Sequence, residues 1–171
     1  VMLRRFESTD LMDFYNLYSN QTVNKYLPLL PISNIEEAET LLKSMYLDKY
    51  DTENTYHYAI YLRDAEKVIG ALNISDDDSH DLGYLLLDEY WNKGFITEAC
   101  TLLIDHLKDI GYPYITATHD VNNIASGKVM KKLGMKYRYS YRELWQPKNF
   151  EVTFRMYQLN INMDLDYVYM K

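Results

Sequence analysis

Cysteine is almost missing from this chain of 171 residues: Cys100 stands alone. A single thiol forms no intramolecular disulfide, no CxxC metal knuckle and no redox pair. Cys100 lies in an apolar run with helical spacing and reads as a buried structural thiol. Glycine and proline are scarce, at 6 and 4, which excludes collagen-like and low-complexity chains. The four histidines, His57, His80, His106 and His119, are scattered, so no multi-histidine metal centre is expected. No stretch approaches the ~18 apolar residues of a membrane span. The opening VMLRRFESTD has two arginines but no apolar run behind them, so no secretory leader is expected and a soluble, cytoplasmic protein is the default. Positive charge is in deficit: Lys+Arg 18 against Asp+Glu 25 gives −7. Nucleic-acid binding through phosphate neutralisation needs a cationic surface, so that partner is disfavoured.

What is present is an apolar fraction of 47% and 18 tyrosines, enough to build a core for one domain and too apolar for intrinsic disorder. Residues 1–160 read as a single α+β domain, and residues 161–171 as a tail with no clear partner. Val1 to Phe6 reads as a short strand. Leu11, Phe14, Leu17 and Tyr18 repeat at helical spacing behind Ser8-Thr9-Asp10. Prolines Pro28 and Pro31 keep the following segment from helix. Ser33 or Asn34 caps a second helix whose buried face is Ile35, Ala38, Leu41, Leu42 and Met45.

From Tyr56 the period changes to two. Tyr56–Leu62 and Val68–Ile74 read as hairpin strands, and Asp76-Asp77-Asp78 as a solvated turn. Leu82–Leu87 is apolar on both faces and therefore expected in the centre of the sheet. A helix from about Ile96 to Ile110, a strand Tyr114–Thr118, a helix from Asn122-Asn123 to Leu133, and strands Met135–Leu144 and Phe150–Leu159 complete the pattern.

The chemistry lies in the strand Leu82–Leu87, the loop Asp88–Phe95 and the helix start at Ile96-Thr97-Glu98. Unpaired N–H groups and the positive end of the helix dipole converge there on one point, which suits a phosphate. Gly94 lets backbone approach closely. The chain has no GxGxxG, no GxxxxGK[ST], no GxSxG and no HExxH.

The run Gly83-Tyr84-Leu85-Leu86-Leu87-Asp88-Glu89-Tyr90-Trp91-Asn92-Lys93-Gly94-Phe95-Ile96-Thr97-Glu98-Ala99 resembles the acetyl-CoA pyrophosphate loop of GNAT N-acetyltransferases, in particular their RimJ/RimL-like branch. Asn123-Ile124-Ala125-Ser126-Gly127-Lys128-Val129-Met130-Lys131-Lys132-Leu133-Gly134-Met135 is similar to that branch's next helix. The resemblance implies a mixed, mostly antiparallel central sheet flanked by helices and splayed at the cofactor cleft. It also implies transfer of an acetyl group from acetyl-CoA, as co-substrate, to a primary amine by direct attack. The amides of Asn92, Lys93, Gly94, Phe95, Ile96 and Thr97 would then bind the pyrophosphate. The backbone of Leu85, Leu86 and Leu87 would pair with the pantetheine arm. Asn123 is either a contact to that arm or a plain helix N-cap, and Ser126 matches a polar position facing the thioester.

The chain also departs from that pattern. Ile96 stands where the family loop usually has a small residue, so its side chain has to point away from the phosphates. Met130 replaces the tyrosine that many relatives use as acid, leaving Ser126 or water for that role. The attacking amine must be neutral, so a base is needed. Asp81, near where this branch often has Glu, and His119, an imidazole at the C-terminal end of its strand, are the candidates. Asp81 is otherwise a turn carboxylate. The acceptor, a small-molecule amine or a protein N-terminus, would enter between Tyr26–Ile32 and Trp145–Phe150 and rest on Tyr26 or Trp145 through cation–π contact. A non-catalytic acyl-CoA-binding or sensor domain is the competing class, and an RNA-associated module a weaker one. No metal is expected, and the tyrosine-rich surface is compatible with a homodimer.

Overall fold

The structure is a computed structural model, and it describes residues 1–52 and 54–171. Seven strands form two sheets. The first has the order β1-β2-β3-β4, from Met2–Arg4, His57–Leu62, Lys67–Ile74 and Leu82–Leu86. The second has the order β5-β7-β6, from Tyr114–Asp120, Phe150–Asn160 and Lys136–Trp145. All pairings within the sheets are antiparallel. A single parallel bridge, Asp81 to Thr116, joins them.

The expected centrality of the fourth strand is therefore corrected. On the side facing β5, β4 is an edge beyond Asp81; its apolar side chains are covered on one face by the helix Phe95–Asp109 and on the other by the first and third helices. Close approach of β3 to β4 depends on Gly70, where an added Cβ would collide with the Leu85 carbonyl oxygen.

Helices α1 (Leu11–Ser19), α2 (Gln21–Asn24) and α3 (Ile35–Met45) precede the main hairpin. The first and third pack on one face of the four-stranded sheet, where Phe14, Leu17, Tyr18, Leu42 and Tyr46 meet Ala59, Val68 and Ala71. Asn34 begins α3: its Oδ1 accepts from Glu37 N–H at 2.9 Å, while the Glu37 carboxylate accepts from Ser33 N–H at 2.9 Å. Two donors that the helix leaves unpaired are thus satisfied reciprocally. The short α2 falls between the first helix and the proline segment, where no element was expected. Asn20 caps it, accepting from Val23 N–H at 3.1 Å.

The opposite face is covered by α4 (Phe95–Asp109), whose Ala99, Cys100, Leu103 and Leu107 pack on Ile60, Ile69, Leu72 and Leu86. Cys100 is fully buried, and burial pushes its thiol up to about 12. The fifth helix, α5 (Ile124–Lys132), lies beside β5 with Met130 in the same core. None of the described helices is long and apolar enough to cross a membrane.

Residues 161–171, expected to lack a partner, are docked on the second sheet. The Gln158 side chain donates to Tyr167 O at 3.0 Å and accepts from Tyr169 N–H at 2.9 Å, and the Tyr139 hydroxyl donates to Tyr169 O at 3.0 Å. Side-chain amides and hydroxyls on the strands satisfy the tail's backbone, so the segment needs no regular structure of its own to stay in place.

Candidate active site

After Asp81 the strands β4 and β5 diverge, and the ladder's alternation decides which groups face the gap. Asp81 O accepts from Ser75 N–H at 2.9 Å, and Leu87 N–H donates to Ile69 O at 2.8 Å. Antiparallel pairing alternates, so the odd residues face β3: Leu85 spends its backbone groups there, and Leu87 its N–H, while the Leu87 carbonyl accepts from Tyr90 N–H at 3.0 Å. The even ones, Tyr84 and Leu86, turn theirs toward the gap. Of Leu85, Leu86 and Leu87, only Leu86 offers backbone to a ligand there, and Tyr84 joins it. The Leu86 carbonyl is already taken by the Trp91 indole N–H at 2.8 Å. Tyr84 N–H, Tyr84 C=O and Leu86 N–H are left for a slender amide-bearing ligand.

At the end of β4 the chain enters the loop. Asn92 (φ 59°) and Gly94 (φ 82°) both adopt the left-handed conformation. Glu98 N–H donates to Gly94 O at 3.0 Å and starts α4. Among the described residues, none accepts from the N–H groups of Asn92, Lys93, Gly94, Phe95, Ile96 or Thr97. Six amides at a helix N-terminus, with no side chain at Gly94, make an anion cradle. The side chain of Ile96 packs into the core under α4, so it does not obstruct the cradle. Beside it runs a groove of about 370 Å³ lined by Gly94, Thr97, Glu98, Thr101, Leu102 and Lys132. Lys132 contributes positive charge there and Glu98 opposes it. Lys93 turns back onto its own loop, its Nζ donating to Glu89 O at 2.9 Å.

Across the gap, Asn123 Oδ1 accepts from Ser126 N–H at 3.3 Å and caps α5. The Tyr84 hydroxyl donates to Ser126 O at 3.1 Å and shares a 2.8 Å hydrogen bond with Ser126 Oγ. Burial raises the Tyr84 phenol above its ordinary value. Met130 is buried and far from any acid role, so this tyrosine brings a phenol to the site from another element. The sequence carried a signal for it: Tyr84 is the single hydroxyl among the apolar residues of its strand.

His119 and Asp81 take different positions. His119 is buried, its Nδ1 lies 2.8 Å from Asp120 O and its Nε2 has no partner. Its ring lies under the start of α5, so close that an added Cβ at Gly127 would sit 2.8 Å from it. Asp81 stands where the strands part. Its Oδ1 is buried without a hydrogen bond, and burial lifts its carboxyl to about 7. It shares a face with its bridge partner Thr116, on the side of α1 and α3. Tyr84 points to the side of α4 and α5. The two groups therefore flank the gap from opposite faces.

The expected acceptor walls are each tied to a neighbouring element rather than to one another. Lys148 Nζ donates to Asn24 O at 2.6 Å, tying the β6–β7 turn to α2, and the Tyr26 hydroxyl donates to Asn122 O at 3.3 Å. The rings of Tyr26 and Trp145, however, are already covered by Lys25 at 5.2 Å and Lys148 at 5.4 Å.

Comparison with known proteins agrees with this geometry. Residues 1–136 match the family model described as an acetyltransferase (GNAT) domain. The chain belongs to the GNAT acetyltransferases. It is an N-acetyltransferase that draws its acetyl group from acetyl-CoA. An N-acetyltransferase of Bacillus subtilis, YnaD, is 28% identical over 140 residues, covering 80% of this chain and 79% of its own. The fold is shared with the microcin C7 self-immunity acetyltransferase MccE, solved with acetyl-CoA and AMP (TM-score 0.80, 19% identity, 93% of this chain and 91% of that one). It is shared also with the ribosomal-protein-S5-alanine acetyltransferase of Vibrio fischeri (TM-score 0.74, 20% identity, 94% and 92%).

Proposed function

We propose that this acetyltransferase belongs to the RimJ/RimL-like branch and transfers the acetyl group directly to a primary amine, with Asp81 as general base. The likeness of fold to the ribosomal-protein acetyltransferase supports the branch. The acceptor is a small-molecule amine or a protein N-terminus.

Acetyl-CoA supplies the activated thioester; the chain's residues do the rest. The amides of Asn92 to Thr97 hold the pyrophosphate, and Tyr84 and Leu86 pair with the pantetheine arm in the manner of an added strand. Asn123, whose Oδ1 is spent on the α5 cap, offers its Nδ2 to the same arm. Asp81 takes the proton of the amine on one face of the gap. On the other face, Tyr84 and Ser126 place hydroxyls to protonate the departing thiolate. His119 sets the height of α5 through Gly127 and acts as a positioning residue. Holding amine and thioester together supplies much of the rate, on the order of 7–11 kcal/mol in well-oriented systems.

One observation carries this reading: Asp81 holds one carboxylate oxygen, Oδ1, buried without a hydrogen bond at the point where the strands part, and burial lifts the group to about 7. A carboxylate at the tip of a turn would have both oxygens solvated or paired. The test is the pH dependence of kcat/KM for an amine. Wild type should gain activity through a limb near pH 7 as Asp81 ionises, and Asp81→Asn should lose that limb and at least about 100-fold in rate. An unchanged profile in the variant removes Asp81 from the mechanism.

A further inference from the structure

The tail places an amine on the sheet face that carries Asp81. Its backbone is held at Tyr169 and again at Lys171, whose N–H donates to the Tyr139 hydroxyl at 3.3 Å, and from there the Lys171 side chain crosses the second sheet on the face shared by Thr116 and Asp81. Its Nζ lies 4.4 Å from the centre of the Tyr141 ring and 3.2 Å from each carboxylate oxygen of Glu143. The Tyr141 hydroxyl lies beside Thr118 of β5, in the strand that parts from β4. The charge of Lys171 also acts on Asp81, favouring its ionised form.

Two other lysines cover aromatic rings near the acceptor walls, and neither forms such a site. Lys148 is a strut: its Nζ is spent on the carbonyls of Asn24 and Lys25. Lys25 lies over the ring of its own neighbour, Tyr26, with no carboxylate among its described partners. Lys67 also has a ring and a carboxylate, Tyr90 at 5.3 Å and Glu89 at 3.3 Å, but at the start of β3; among the described residues, an aromatic face and a bidentate carboxylate close on one ammonium around Lys171, on the same face as Asp81 and its unpartnered Oδ1.

We propose that Tyr141 and Glu143, with Asp81 beyond them, form the ammonium subsite of the acceptor channel, and that Lys171 is its internal occupant. The proposal rests on the acetyltransferase reading above and deepens it. The acceptor it implies presents a primary ammonium on an unbranched alkyl chain, as a lysine side chain does. An aromatic face and a carboxylate recognise the charged form. The proton is then surrendered to Asp81 as nitrogen attacks the thioester carbonyl, forming the amide bond and breaking the C–S bond, with the electron pair leaving on CoA sulfur. A tethered lysine competes with free amine at an effective concentration in the millimolar range, so the tail lowers apparent affinity for weak acceptors.

The test uses the full chain, saturating acetyl-CoA and 1,5-diaminopentane as the probe amine, read as CoA release and, without turnover, as calorimetric binding to the CoA complex. Lys171→Met should lower the KM and dissociation constant of the diamine by about threefold or more, whereas Lys171→Arg should retain wild-type values. Adding Glu143→Gln to Lys171→Met should weaken the diamine by about tenfold relative to Lys171→Met alone. Melting curves with and without acetyl-CoA accompany each variant. Equal KM and binding constants in wild type and Lys171→Met overturn the internal occupant, and an ineffective Glu143→Gln overturns the subsite. In either case a retained acetyl-CoA shift of Tm together with CoA release to another amine leaves the enzyme reading standing. Loss of both in wild type would instead bring down that reading.

Discussion

Tyr84 Oη and Ser126 Oγ lie 2.8 Å apart, and this hydrogen bond joins one arm of the split sheet to the helix that follows the other. It is a contact across the gap made by side chains where backbone pairing has ended. Tyr84 is thereby oriented by Ser126, and both hydroxyls stand on the face opposite Asp81.

Removing the phenol hydroxyl should separate chemistry from binding. Tyr84→Phe keeps the ring in the core and removes both hydrogen bonds to Ser126, so stability should fall by about 1–2 kcal/mol. The kcat should fall by at least about tenfold with little change in KM for acetyl-CoA, because backbone groups hold the arm. Steady-state kinetics on a variant whose unfolding has been measured checks both parts. An unchanged kcat would leave Tyr84 as packing only.

Asp81 should make the protein less stable as pH rises. Its carboxyl is lifted from 3.8 to about 7 in the fold, so folding favours the protonated form. That contribution is complete below the unfolded value near 4 and is lost as pH rises through about 7. The full difference is on the order of 4 kcal/mol as an upper figure. Asp81→Asn has no such dependence and should gain on wild type between pH 5 and 8, even as it loses activity. Urea unfolding midpoints at the two pH values decide this, and parallel shifts in both proteins would contradict it.

Gly127 and His119 should behave as a coupled pair. Gly127→Ala puts a methyl group 2.8 Å from the imidazole, which should cost about 1–3 kcal/mol and lift α5 away from Tyr84. In the His119→Ala background the methyl group finds room, so the same substitution should cost little there. Chemical denaturation of the four proteins closes the cycle, and additive effects would show that the ring does not set the helix height.

Much of this architecture was legible because its causes are local. The anion cradle is a strand, a left-handed glycine and a helix start in succession, so Leu82 to Glu98 could be read as one unit. Asn34 and Asn123 announced their helices through their own side-chain hydrogen bonds. The gap beside β4 was legible only through the family resemblance, which implied a splayed sheet, because the apolar pattern of a strand says which faces are covered and not whether its edge is paired. The tail was hidden for a different reason. Its partners, Tyr139 and Gln158, lie on two strands and hold it by its backbone, which leaves no periodic trace in residues 161–171. The ammonium cluster was missed with it, since Glu143 looks like any exposed strand carboxylate until Lys171 folds back onto it.

The parting of β4 from β5 also bears on how the protein avoids sticking to others. An unpaired strand edge is ordinarily a template for a foreign chain and a route to aggregation. Here the edges of β4 and β5 face each other, hinged at the Asp81–Thr116 bridge, with the Trp91 indole already seated on one carbonyl. A foreign sheet would need a free flank beside the strand, and the partner edge takes that flank away. What the fork leaves open suits one extended amide chain, so the same parting that exposes an edge also guards it.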